Sequence, residues 1–91
     1  MMRSIERTTK FKRDYKREKK TDPSLDEAFL AVIVLLADDD ELPERLRDHS
    51  LGGEWKGYRD CHIRPDLVLI YSKEEGKLTL ARLGSHSELF G

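Results

Sequence analysis

The side chains suited to proton transfer are concentrated in the second half of this chain. All three histidines lie there, accompanied by three aspartates (His49, His62, His86, Asp48, Asp60, Asp66). Imidazole changes its protonation state near neutral pH, so histidine serves as a general acid or a general base. This concentration of imidazoles and carboxylates indicates a candidate site for acid–base chemistry.

Two of these residues, together with a tyrosine, alternate along one predicted strand. Because side chains in a strand point to opposite faces with period two, Tyr58, Asp60 and His62 share one face. Arg59, Cys61 and Ile63 share the other. A core-facing strand would not carry Asp and His, so we expect the first face to be open.

The other candidate residues flank this strand and its neighbours. Asp66 lies just past the turn that follows the strand and can return close to His62. His86 follows the last predicted strand, and His49 precedes the first strand of this half. The predicted order of strands can therefore bring these histidines and aspartates close together.

Three interpretations of the cluster remain open at this point. The histidines are ordinary exposed side chains, or they bind a metal, or they carry out acid–base catalysis. Imidazole and carboxylate suit zinc, but the histidines are 13 and 24 residues apart, with no closely spaced pair. We therefore expect no metal and no cofactor.

RNA cleavage is one reaction that needs only acid–base chemistry. It requires a base for the 2′-hydroxyl proton, an acid for the leaving 5′-oxygen and cations for the pentacoordinate phosphate. Histidine and aspartate supply the first two. The candidate cations are Lys56, Arg59, Arg64 and Arg82, and the candidate stacking aromatics are Trp55, Tyr58 and Phe90. Trp55 also suits a core position, and Cys61 is expected to be packed and unreactive.

The N-terminal half must supply most of the elements that support this site. Ser4–Arg7 is predicted to be a short strand, and a helix follows with Thr8 or Thr9 as its cap and an apolar side made by Phe11 and Tyr15. Asp22-Pro23-Ser24 is a helix start. The second helix should run from about Ser24 to Ala37 with a wide apolar face.

The C-terminal half is predicted to be mainly strand. After an irregular segment from Leu42 to Gly53, we expect strands at Trp55–Ile63, Leu67–Ser72 and Lys77–Leu83, then a helical turn at Ser85–Phe90. The predicted fold is α+β. Two N-terminal helices pack on one face of a small, mainly antiparallel, four-stranded sheet.

Length and composition restrict the class of protein. The 91 residues are 37% hydrophobic and 38% charged, with a net charge of −1, which indicates one domain spanning residues 1–91. The longest apolar run, Ala28–Ala37, is too short to cross a membrane. Without an apolar leader, and with a single cysteine, the chain is expected to be cytoplasmic.

Charge is unevenly distributed along the chain. Residues 1–20 carry nine Lys/Arg and three Asp/Glu, a net of +6, whereas residues 21–50 carry two and nine, a net of −7. This asymmetry is typical of a protein with one surface for an anionic partner and another for a different one. Two ordinary solvated helix faces would give the same pattern.

Three segments carry a resemblance to a known family. They are DHSLGGEWKGYRDCHIRPD (residues 48–66), the apolar LVLIY that follows (67–71) and the ending RLGSHSELFG (82–91). These segments resemble the motifs of YafQ-type toxins in the RelE/ParE superfamily. Residues 1–45 agree with that family only in helix pattern and length.

The resemblance implies an endoribonuclease toxin that cuts mRNA in the ribosomal A site. It implies catalytic residues at His49, Asp60, His62, Asp66 and His86, and a terminal aromatic at Phe90. The expected RNA contacts are Phe90 and the candidate cations Lys56, Arg59 and Arg82. Members of the superfamily are usually basic, whereas this chain is nearly neutral. We expect His86 to act as the general acid, and Asp66 with His49 or His62 to activate the 2′-hydroxyl.

The resemblance also implies partners. An inhibitory antitoxin similar to DinJ or RelB would hold the toxin inactive, with its tail against the first helix and the sheet edge, and the complex would reach operator DNA through the antitoxin. Ribosome and mRNA are the remaining partners. Two other functions stay open: a ParE-like toxin that poisons DNA gyrase, and an inactive relic that only binds its antitoxin.

Overall fold

The structure is a computed structural model, and it describes residues 2–91. Two helices, α1 (Thr9–Thr21) and α2 (Leu25–Ala37), follow a first strand, β1 (Ser4–Arg7). The remaining elements are β2 (His49–Ser50), β3 (Arg59–Arg64), β4 (Leu67–Glu74), β5 (Lys77–Gly84) and α3 (His86–Phe90). Short 3-10 turns occupy Glu44–Leu46 and Gly53–Trp55.

The five strands form one mixed sheet in the order β1-β5-β4-β3-β2. β1 runs parallel to β5, with Ser4 opposite Lys77, and the other three pairings are antiparallel. The α+β prediction with a mainly antiparallel sheet is confirmed. The predicted number of four strands was wrong by one, because His49–Ser50, placed in an irregular segment, pairs with β3.

The helix ends are determined by local hydrogen bonding. The Thr8 side chain accepts the backbone N–H of Phe11 at 3.0 Å, which caps α1 as the sequence predicts. α2 ends at Ala37, and Asp39 then adopts a left-handed φ of 59°. None of the helices within residues 2–91 has the length and hydrophobicity needed to cross a membrane.

The main core lies between the helices and one face of the sheet. Phe11, Leu25 and Leu36 of the helices pack there against inward side chains of β3, β4 and β5, including Leu69 and Tyr71. Cys61 is buried in this core, and burial raises the pKa of its thiol to about 12. The thiol is therefore packed and protonated at neutral pH.

The opposite face of the sheet carries a second, smaller apolar cluster. Val68, Ile70, Ala81 and Leu89 are buried in it, and Trp55, Tyr58 and Phe90 pack around them. The expectation of an open face was therefore wrong where α3 and the 52–58 loop cover the strands. The first C-terminal strand also begins at Arg59 rather than Trp55, because Gly53–Trp55 coil into a 3-10 turn and Gly57 has a φ of 93°.

Candidate active site

Sheet pairing brings His49 and Asp60 together. His49 lies on β2 directly opposite Asp60 of β3, and their side chains share one face of the sheet. His62 is two residues further along β3 on the same face. In the register His62 is opposite Val68, and Val68 is opposite Gly84. The helix that starts at His86 therefore begins two residues beyond the row that holds His62.

Asp60 is the buried centre of this arrangement. Its exposed fraction is only 2%, and its Oδ1 lies 3.1 Å from His49 Nδ1. Burial raises the pKa of its carboxyl, while the charges of His49, His62 and His86 act in the opposite direction. Three imidazoles are thus near enough to one carboxylate to influence its ionisation, although the sequence predicted that Asp60 would be open to solvent.

One oxygen of Asp60 lacks a hydrogen bond. The Nδ1 atom of His49 contacts the carbonyl oxygen of Arg47 at 2.8 Å, and a carbonyl only accepts, so Nδ1 must carry the proton. That N–H points at Arg47, and Asp60 Oδ1 has no donor among residues 2–91. In neutral His49 the Nε2 atom is then left with a free lone pair.

His62 and Asp66 are joined through the turn between β3 and β4. The Nδ1 atom of His62 lies 3.4 Å from the carbonyl oxygen of Pro65, and Asp66 is the exposed next residue of the turn. No hydrogen bond or ion pair of the Asp66 carboxylate is found within residues 2–91. The Asp66 carboxylate is therefore unpaired within residues 2–91, and no polar contact between it and the His62 ring is found there.

His86 is held at the start of a short, well-capped helix. The Ser85 hydroxyl accepts the N–H of Glu88 at 3.2 Å, and Glu88 Oε1 accepts the N–H of Ser85 at 2.9 Å, which forms a capping box. The ring of Phe90 lies 4.8 Å from the imidazole. His86 is exposed, so the cap orients it without covering it.

Gly84 permits the close approach of α3 to the end of β5. A Cβ atom at this position would lie 3.2 Å from Arg17 Nη2 and from Glu88 Oε1. Any larger residue would push the capping glutamate or Arg17 away. The glycine before Ser85-His86 thus helps to locate the histidine.

Arg59 lies on the opposite face of β3 from the histidines. Its Nε and Nη2 atoms contact the Asp48 carboxylate at 3.2 and 3.3 Å, and the Tyr71 hydroxyl donates to the same carboxylate. Asp48 raises the pKa of the Arg59 guanidinium. The structure therefore does not bring Arg59 together with His62, whereas Lys56 is exposed in the loop beside Trp55.

Arg82 is also occupied by a carboxylate. Its Nε atom lies 2.7 Å from Asp14 Oδ2, and the same oxygen accepts the N–H of Leu83 at 3.0 Å. Burial opposes ionisation of Asp14, but the bonds from Arg82 and Leu83 outweigh it and lower the pKa of its carboxyl. The side chain of Arg82 is half-buried, and the Asp14 carboxylate neutralises part of its positive charge.

Asp14 and Arg17 are supporting residues that the sequence reasoning missed. Arg17 donates to the carbonyl oxygen of Leu83 at 3.2 Å and lies 3.7 Å from Glu88. Asp14 falls between Phe11 and Tyr15 on the helical period, so it belongs to the buried side of α1. An acid that falls between two aromatic positions of a lysine-rich helix was the available signal.

The aromatic candidates surround the cluster on the same face. Trp55 and Tyr58 meet edge to face with ring centroids 5.2 Å apart, and both are half-buried. Phe90 borders the same apolar cluster and contacts His86. Within residues 2–91, no group of three or more His, Cys, Asp or Glu side chains is arranged to hold a metal ion.

Comparison with known proteins gives one consistent result. The family described as "Bacterial toxin of type II toxin-antitoxin system, YafQ" matches residues 3–91. The mRNA interferase toxin YafQ of Escherichia coli K12 is 35% identical over 91 residues, which cover 100% of this chain and 99% of that protein.

Solved structures agree with the sequence matches. YafQ in the E. coli DinJ–YafQ complex superposes with a TM-score of 0.88 at 37% identity, covering 98% of this chain and 99% of that one. A copper-bound mutant toxin from Helicobacter pylori gives a TM-score of 0.91 at 37% identity, covering 99% and 100%. Each match spans nearly the whole of both chains.

Proposed function

The chain belongs to the YafQ family of toxins of type II toxin–antitoxin systems, and we propose that it is an mRNA endoribonuclease. It cuts mRNA in the ribosomal A site by acid–base catalysis that requires no metal. The observation that carries this proposal is the convergence of His49, His62 and His86 around the buried Asp60 carboxylate. The YafQ relative from E. coli is itself an mRNA interferase.

The reaction is an internal displacement at phosphorus. A base removes the proton of a ribose 2′-hydroxyl, the oxygen attacks the adjacent phosphorus, and the bond from phosphorus to the 5′-oxygen breaks. An acid donates a proton to that leaving oxygen. The products are a 2′,3′-cyclic phosphate and a 5′-hydroxyl, so one proton enters the enzyme and one leaves.

His86 is the proposed general acid. It is exposed at the first residue of α3, where the capping box and Phe90 orient it. A substrate base stacked on Phe90 would lie next to the imidazole, which would bring the leaving oxygen within reach.

His49 or His62, with Asp66, forms the proposed base. Both rings direct Nδ1 at a backbone carbonyl, which leaves Nε2 as the acceptor in the neutral ring. Asp60 is a positioning residue that acts through His49. Once His49 has taken up a proton, the Asp60 carboxylate lies 3.1 Å from a positive ring.

Contacts to the RNA phosphates and bases come from the rim of the cluster. Lys56 is exposed, and Arg82 keeps part of its guanidinium accessible beside Asp14. These cations stabilise the charge that develops on the phosphoryl oxygens. Arg59 lies on the other face with Asp48, so its role would be to stabilise the loop or to contact a more distant phosphate.

The proposed inhibitor is an antitoxin of the DinJ type, because the E. coli relative forms a complex with DinJ. The surface suited to it combines the half-buried Tyr15 and Phe29 between the helices with the exposed Ile5 on the edge strand β1. An amphipathic tail that is disordered until bound would cover this surface. The complex would bind operator DNA through the antitoxin.

The test is a primer-extension map of a reporter mRNA in a cell-free translation system. Wild type should give discrete codon-phased cuts, and His86→Ala should lower the cleavage rate by about 10²–10⁴-fold. Ser87→Ala, the exposed neighbour, is the matched control and should cut like wild type. Cuts on the same mRNA without ribosomes would overturn ribosome dependence, and full activity of His86→Ala would overturn its catalytic role.

A further inference from the structure

A groove lined by arginine lies beside the proposed catalytic cluster and shares His62 with it. It has a volume of about 460 Å³ and runs between the Glu44–Leu46 turn and the end of β3. It is lined by three arginines, one histidine and three apolar residues (Arg45, Arg47, Arg64, His62, Leu46, Ile63, Pro65). We call it the arginine groove.

Two of the three arginines have charges that no carboxylate contacts. Arg45 and Arg47 are exposed and make no ion pair within 4.0 Å among residues 2–91. Arg64 is different, since its Nε and Nη2 atoms contact Asp22 at 2.5 and 3.2 Å and its Nη2 also contacts Ser24 at 2.9 Å. The Arg64 side chain is thus held in place by Asp22 and Ser24, and the unpaired positive charges in the groove are those of Arg45 and Arg47.

Arg47 connects the groove to the catalytic cluster. Its backbone adopts a left-handed φ of 50°, and its carbonyl oxygen contacts His49 Nδ1 at 2.8 Å. Its side chain lines the groove on one side and borders an acidic cleft with Glu44 and Asp48 on the other. His62 forms part of the groove wall itself, so whatever binds there adjoins the reacting atoms.

We propose that the arginine groove binds a backbone phosphate of the RNA strand, next to the phosphate that is cleaved. Guanidinium groups recognise phosphate with paired hydrogen bonds, and they remain charged at all relevant pH values. RNA is favoured over an acidic peptide because the groove is continuous with His62. This inference rests on the proposed ribonuclease function, for which it supplies a substrate-positioning site.

The test measures binding of a single-stranded RNA that cannot be cut, with 2′-O-methyl groups throughout, by fluorescence anisotropy at several salt concentrations. Each phosphate contact to single-stranded nucleic acid contributes about 0.7 to the slope of log K against log salt. The variant Arg45→Gln/Arg47→Gln removes the contact to this one phosphate, so it should reduce that slope by about 0.7 and weaken binding about equally for all sequences. Arg45→Lys/Arg47→Lys should recover most of the slope.

Lys12→Gln/Lys16→Gln provides the matched control. These two exposed lysines lie on α1, which packs on β5, two strands away from β3 in the sheet. The control removes the same charge and should leave the slope within about 0.3 of wild type. Arg45→Gln alone, which leaves the Arg47 backbone and its contact with His49 untouched, should reduce the slope by less than the double variant does.

Kinetics separate this inference from the proposed function. In the ribosomal cleavage assay the double variant should raise KM at least five-fold and change kcat much less. If wild type cleaves mRNA and the double variant has the same KM and salt slope as wild type, the proposal for the arginine groove is wrong. The proposed ribonuclease function would then be unaffected. If a hexaglutamate peptide binds the double variant more weakly than wild type, while RNA binds both equally, the groove is a site for an acidic peptide instead.

Discussion

The Asp14 carboxylate on α1 contacts the Arg82 guanidinium on β5, with 2.7 Å between Oδ2 and Nε. Both side chains belong to elements far apart in sequence, and the same carboxylate also accepts the Leu83 N–H. The pair therefore joins the first helix to the end of β5. From that end the chain leads within two residues to Ser85 and His86.

Asp14→Asn should destabilise the protein. Asp14 is 4% exposed, and its removal leaves Arg82 partly buried without a counter-charge, at a cost of about 3 kcal/mol in the free energy of unfolding. Because the folded pKa of Asp14 is lowered, the advantage of wild type exists above the unfolded pKa of about 4 and should disappear as pH falls through the folded pKa. Urea unfolding at pH 7 and pH 3 measures both effects.

Asp39→Asn is the control for that substitution. Asp39 pairs with Arg3 and Lys73 but is exposed, so its removal should produce little change. An effect of Asp14→Asn no larger than that of Asp39→Asn would contradict the structural role of the pair.

Asp60→Asn should stabilise the fold at neutral pH while lowering activity. Burial raises the folded pKa of Asp60, so wild type loses stability as pH rises from the unfolded value of about 4 through the folded pKa. Asparagine does not ionise, so the variant does not lose stability in this way as pH rises. Its melting temperature should exceed that of wild type more at pH 7 than at pH 3.5.

The neighbouring charges make the Asp60 experiment specific. His49, His62 and His86 favour the ionised carboxylate, and Asp48 opposes it. The pKa of the Asp60 carboxyl is raised overall, so the gap in melting temperature between variant and wild type should widen as pH rises. A constant gap from pH 3.5 to pH 7 would show that the pKa of the Asp60 carboxyl is the same in the folded and unfolded protein, which contradicts the raised pKa. Slow cleavage by the variant is the separate readout of its effect on His49.

Phe90→Leu should weaken RNA binding and retain the fold. Leucine preserves the apolar contact with the small cluster on this face but removes the ring that lies against His86. Stacking on an aromatic ring is worth about 1–3 kcal/mol per base, so KM should rise by about ten-fold or more. Leu30→Ala, a truncation of an exposed leucine on α2, should leave KM unchanged. Equal KM values in wild type and Phe90→Leu would count against stacking.

A chelator of zinc and copper should leave the cleavage rate unchanged. It spares the Mg²⁺ that ribosomes need, and the proposed proton transfers use side chains alone. Translation of an untreated reporter in the same buffer is the control. Loss of cleavage that is restored by adding Cu²⁺ or Zn²⁺ would replace the proposed mechanism with a metal-assisted one, a meaningful alternative because a toxin from H. pylori is copper-bound.

Periodicity predicted the elements that have a strong local pattern. The apolar face of α2, the Thr8 cap and the apolar run of β4 all lie where the sequence placed them. β2 could not be predicted, because two residues carry no period and exist as a strand only through their pairing with β3. The start of β3 was also missed, since Trp55 suits a strand and its 3-10 turn depends on the loop around it.

The sequence predicted which candidate residues share a face of the sheet, and it predicted their environment less well. Alternation along β3 placed Asp60 and His62 on one face, and the register adds His49 to it. The burial of Asp60 was not predictable, because the loop that carries Trp55 and the helix α3 cover this face from elsewhere in the chain. The partners of Arg59 and Arg82 were hidden for the same reason, since Asp48 and Asp14 approach them through tertiary packing.

The pairing of β1 with β5 has a consequence for biosynthesis. Ser4 lies opposite Lys77, 73 residues later, and its backbone N–H donates to the carbonyl oxygen of Gly76. Among residues 2–91, β1 has no other neighbour in the sheet. A nascent chain therefore carries an unpaired first strand until β5 has left the exit tunnel, and His86 emerges later still. On the proposed mechanism, the polypeptide lacks its general acid for almost the whole of its synthesis.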